Sequence, residues 1–113
     1  MSRIVIESPV GFADSEILGY SRSDDVFRVK IEAWNQSVLF VVFKKTIAVR
    51  DLNAWSISQL CEEKNESDLL RRALRNQYEV IPTNHEWRVF CFLCQDGSPG
   101  FEVVAEDMQI IHH

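Results

Sequence analysis

FADSEILGYSRSDDVFRVKIEAWNQSVLFVVFKKTIAVRD, residues 12–51, packs four strand-like runs into forty residues and holds no recognisable catalytic motif. Val26 to Trp34 is the clearest of them. Phe27, Val29, Ile31 and Ala33 alternate with Arg28, Lys30, Glu32 and Trp34, the period of two that sets one face of a strand in a core and the other in water. Val38 to Phe43 is a continuous apolar run rich in β-branched and aromatic residues, the pattern of a central strand covered on both faces. On the near side, Ser15 to Ser21 reads as a strand with Ile17 on one face and Glu16, Leu18 and Tyr20 on the other. On the far side, Thr46 to Asp51 alternates with Ile47 and Val49 pointing one way. Arg22 to Asp25 and Asn35 to Ser37 are the polar turns between these runs.

Outward from this stretch, Arg3 to Glu7 reads as a short strand ended by Ser8-Pro9. Glu86 to Cys94 is an aromatic strand, and the turn Asp96-Gly97-Ser98-Pro99-Gly100 returns it through Phe101 to Ala105. Ser56 to Glu62 fits a short helix or a strand equally well. One helix is predicted over Ser67 to Gln77. Leu69, Leu70, Ala73 and Leu74 recur at helical spacing, Ser67 is an N-cap, and acidic Glu66 and Asp68 precede basic Arg71, Arg72 and Arg75 in the order the helix dipole favours. The expected fold is α+β, a single domain over 1–113: one mainly antiparallel, twisted sheet of about six to seven strands with the helix laid on one face, or a sandwich or half-barrel variant.

At 113 residues and 46% hydrophobic, the chain buries a core without staples, and its net charge of −5 opposes binding to nucleic acid or an anionic membrane. The N-terminal apolar run is too short for a signal peptide and no run approaches the roughly 20 residues of a membrane span, so a cytoplasmic protein is expected. Three cysteines, Cys61, Cys91 and Cys94, suit a reducing compartment. The Cys91-x-x-Cys94 spacing lies inside a strand, where residues three apart face opposite ways, and no second pair completes a metal site; the thiols read as buried, metal-free structure. His112 and His113 resemble the stub of an affinity tag and carry no weight.

Candidate chemistry is sparse. His85 stands in a loop beside Glu86, an arrangement suited to a general base, but nothing supplies a nucleophile, so no catalytic residue and no cofactor is expected. Asp14, Glu16, Asp24 and Asp25 gather at one sheet edge if the strand holding Glu16 pairs with the one starting at Asp25. Their spacing matches no calcium loop. Trp55 and Trp87 read as packing residues, whereas Trp34 falls on the polar side of its strand, where an aromatic ring can anchor an interface.

Phe12-Ala13-Asp14-Ser15-Glu16-Ile17-Leu18, followed by the strand ending in Ala33-Trp34-Asn35 and then by Val38 to Val49 and Asp51, resembles small immunity proteins of bacterial polymorphic-toxin and contact-dependent growth inhibition systems. Several of those families open on an F-x-D-[AS]-E-[IL] segment. The resemblance covers the first half of the chain and implies a cytosolic inhibitor that occludes a cognate toxin domain, often a nuclease, with no catalytic residues of its own. An acidic chain complements a basic toxin, so the expected partner-binding residues are Asp14, Glu16, Asp24, Asp25 and Trp34, with Glu62, Glu63 and Glu66 as a second acidic group. A small-ligand binder or enzyme using His85, Glu86 and the cysteines, and a structural or assembly subunit, remain the competing readings. Oligomeric state is not legible.

Overall fold

Ten strands and one helix form the computed structural model, which describes residues 3–8, 10–64 and 67–112. The strands are β1 (Arg3–Ile6), β2 (Ser15–Ser23), β3 (Val26–Glu32), β4 (Val38–Lys44), β5 (Ala48–Asp51), β6 (Ser56–Ile57), β7 (Gln59–Glu63), β8 (Arg88–Leu93), β9 (Pro99–Ala105) and β10 (Asp107–His112); α1 spans Asp68–Gln77. They build two antiparallel sheets, ordered β1-β7-β8-β9-β5 and β10-β4-β3-β2-β6. The class is α+β as expected and the half-barrel variant is the form taken, with two sheets in place of one and more strands than the six to seven expected. Ser56 to Glu62 is strand, split at Ser58 into β6 and β7, and β10 had no expectation at all.

Both differences have one cause. β6 runs into β7 across Ser58 and β9 into β10 across Glu106, so each long strand leaves one sheet and enters the other, the way strands turn corners between packed sheets. The pair curls into a half-barrel around Phe27, Phe43, Phe90, Phe92 and Phe101, whose rings contact one another at centroid distances of 5.3–6.4 Å. Inward residues of β3 and β4, Val29, Ile31, Leu39 and Val41, are fully buried.

The expected cover on both faces of β4 is only partial, Val42 being buried on the outer face. Leu39, Val41 and Phe43 face the core, but Phe40 faces outward between Lys30 and Ile111 and is half-buried, because the helix lies on the other sheet. Ser67 Oγ accepts from Leu70 N (3.3 Å) and caps α1, which packs Ala73, Leu69 and Leu70 against Val89, Val104, Ile47 and Ala48. Ile47 therefore joins the helix layer while Val49 packs on the main core, so the two do not point one way. A bulge at Leu18 shifts the register of β2 on β3 and turns Tyr20 inward, 5.3 Å from Phe27 and 5.2 Å from Phe101, onto the face of Ile17 rather than that of Glu16. Cys61 and Cys91 are register partners, buried and free, and Cys94 is half-buried beyond the end of β8. No helix among the described residues is long and apolar enough to cross a membrane.

Candidate functional site

One end of the half-barrel brings exposed apolar side chains together with carboxylates that have no ion pair among the described residues. The tight turn closed by Ser15 N donating to Phe12 O (3.2 Å), with Asp14 at φ 55°, buries Phe12 and leaves Asp14 outside, where its Oδ1 accepts from Gln95 Nε2 (3.2 Å). Glu16, one residue into β2, stands opposite Glu32 on one side and Ser56 on the other. Like charges directly opposite one another destabilise an antiparallel pair, and among the described residues no cation bridges these two. Their juxtaposition is unfavourable, and a positive group placed between them would relieve it.

Residues 52–55 complete this end. Asp51 Oδ1 accepts from Asn53 N (2.7 Å), Leu52 N donates to Gly100 O (3.1 Å) and Ile17 N donates to Trp55 O (2.8 Å), so the segment is pinned by backbone on both flanks. Its side chains point out: Trp55 is 60% and Leu52 47% exposed, beside Leu18 and Tyr20. Tyr20 OH donates to Asp51 Oδ2 (3.0 Å), and that bond raises the phenol above its ordinary pKa. Asp96 borders Trp55 from the turn after β8, where its Oδ1 accepts from Ser98 N and Oγ and its carboxyl is held low by those bonds. Trp34 is exposed just past β3, its Nε1 donating to Val10 O (3.0 Å).

The expected residues divide. Asp14, Glu16 and Trp34 meet at this end, but Asp24 and Asp25 form the β2–β3 hairpin turn at the other end of the strands, roughly 25 Å away at ~3.3 Å per residue. They do not gather with Glu16, because Glu16 pairs with Glu32 and it is Ser23 that pairs with Val26. Glu62 and Glu63 are not open to a partner either. Glu62 is buried and bonded to Arg88 (2.6 Å) and Lys64 (2.6 Å), and Glu63 is paired with Arg3 (2.7 Å). Glu66 lies outside the described residues. Sequence reasoning missed Glu32, Asp51, Asp96, Tyr20, Leu52 and above all Trp55, taken as packing; an apolar pair, Leu52 and Trp55, inside an otherwise turn-like segment was the available signal.

His85 lies in a different place, a cleft of about 570 Å³ shared with Glu62, Glu86, Arg88, Leu70 and Trp87. Its Nδ1 accepts from Trp87 N (3.2 Å), while Arg88 and Lys64 occupy Glu62 and hold that carboxyl below its usual range. The competing ligand-binding reading called for a deep apolar pocket; this cleft is lined chiefly by charged side chains. Among the described residues no group of three His, Cys, Asp or Glu side chains is placed to hold a metal ion. No family model, curated protein or solved structure matches the chain.

Proposed function

We propose that this protein is a stoichiometric inhibitor of the immunity type, which binds a cognate bacterial toxin domain one to one and covers its working surface, a nuclease with a basic groove being the best complement. One observation carries the reading. Trp55, Leu52, Leu18 and Tyr20 are exposed among Asp14, Glu16, Glu32, Asp51 and Asp96, none of which is ion-paired among the described residues. Exposed aromatic anchors beside a group of carboxylates are what such an interface needs: the rings supply area that loses water, and the charges select and steer the partner. The resemblance of residues 12–51 to immunity proteins supports the same reading.

Co-expression tests it. The product of the open reading frame next to this one should be toxic alone and harmless with this chain, and the two should co-purify at equal stoichiometry. Absence of toxicity, or toxicity that persists beside the folded protein, overturns the proposal. The size of the His85 cleft falls within the range of small-ligand sites, about 300–1,000 Å³, which keeps a ligand-binding alternative in view. His85→Ala separates the two: protection should be unchanged, and its loss at an unchanged melting temperature would favour the cleft.

A further inference from the structure

β2 beyond the bulge and β5 are edge strands that face each other across a seam without backbone pairing, bridged by the Tyr20–Asp51 hydrogen bond and by Arg22 Nη2 donating to Thr46 O (3.2 Å). Where the bulge widens the seam, a cavity of about 150 Å³ opens beside Trp55. Phe101 and Tyr20 wall it with rings 5.2 Å apart, Leu18 and Trp55 line it, and among the described residues no lysine or arginine does. Asp51 stands at its edge with one carboxylate oxygen held by Asn53 N and the other by Tyr20 OH.

This combination selects its occupant. The volume is well under the roughly 300 Å³ at which small-molecule sites begin, and suits one side chain. Aromatic faces carry negative charge and attract cations, and a carboxylate offers about four acceptor positions, of which two are taken here. A neutral aliphatic group would strip water from the remaining Asp51 acceptors without replacing it. We infer that the cavity receives a lysine or arginine side chain of the partner protein, its aliphatic stem along Leu18 and Trp55 and its charged head against Tyr20 and Asp51. The inference rests on the inhibitor reading above and names the contact at its centre.

The test uses the free protein and three capped tripeptides, acetyl-Gly-X-Gly-amide with X as arginine, lysine or norleucine, followed by ¹⁵N NMR, with Trp55→Phe assigning the indole signal. Arginine and lysine should shift the Trp55 indole and Gly19 amide saturably and norleucine should not. Asp51→Asn, its spectrum otherwise intact, should weaken binding about tenfold, the loss of one charge-assisted contact. Equal shifts with norleucine, no saturable shift with either cation, or an unchanged affinity in Asp51→Asn overturns it. Should co-expression protect while the cationic peptides fail, the pocket falls and the inhibitor reading stands; should the peptides bind while no neighbouring product is neutralised, the reverse holds.

Discussion

Glu62 lies on the inward side of β7, opposite Phe90, with Arg88 stacked 5.0 Å over the Phe90 ring and Lys64 on its other oxygen. Arg88 chiefly, and Lys64, hold its carboxyl below the ordinary glutamate range against the cost of burial. A carboxylate depressed in the folded state contributes stability that is complete above the unfolded pKa and is lost as pH falls through the folded value. The urea midpoint should therefore fall on acidification below about pH 4.5, and Glu62→Gln should flatten that part of the profile. Arg88→Met, which leaves a buried carboxylate short of one partner, should cost about 1–3 kcal/mol at neutral pH. The phenylalanines make a second test by denaturant titration. Phe92, fully buried, should lose about 3–5 kcal/mol on truncation to alanine. Phe40, half-buried on the open sheet face, should lose about 1–2 kcal/mol, in proportion to the area it hides.

Between elements, β9 comes close to the segment before β6 at Gly100. A Cβ on Gly100 would stand 2.8 Å from Ala54 Cβ and 3.0 Å from Cys94 Sγ, and a methyl group on the chain itself cannot rotate aside. Gly100→Ala should thus push residues 52–55 outward, costing about 1–3 kcal/mol, changing Trp55 fluorescence and weakening partner binding beyond what stability alone explains. β3 and α1 were legible in the sequence because each shows its burial period within its own residues. β10 was not, since no glycine or proline marks the bend at Glu106, where the chain passes from one sheet to the other and Glu106 N donates to Lys44 O (3.2 Å). The site divides on the same line. Asp14, Glu16 and Trp34 sit at strand ends whose exposure follows from alternation. Tyr20 was placed on the wrong face by one bulged residue, and Asp51 and Trp55 acquire their roles through the β2–β6 pairing and a seam between strands far apart in sequence.

For the whole molecule, the net charge of −5 is distributed unevenly, and the unevenness is what association kinetics would read. Asp14, Glu16, Glu32, Asp51 and Asp96 lie around Trp55, while Arg28, Lys30 and Lys44 occupy the outer face of β3 and β4. Asp24 and Asp25, at the opposite end of β2, are roughly 25 Å from Glu16, about three times the ~8 Å Debye length at physiological salt, so a partner docked on Trp55 hardly feels them. Reversing Glu16 and Asp14 to lysine should slow association with a basic toxin about tenfold or more at low salt, with a much smaller difference at high salt, because steering is screened. The same double reversal at Asp24 and Asp25 should leave the association rate nearly unchanged, although it alters net charge equally. Trp55→Ala should act on the other rate constant, raising dissociation with little effect on association, since a desolvated anchor is felt only once the surfaces have met. Stopped-flow or surface-based kinetics on these variants at two salt concentrations read each rate separately. Equal slowing by both pairs of reversals would mean that net charge, not this surface, guides the partner, and would move the binding face away from Trp55.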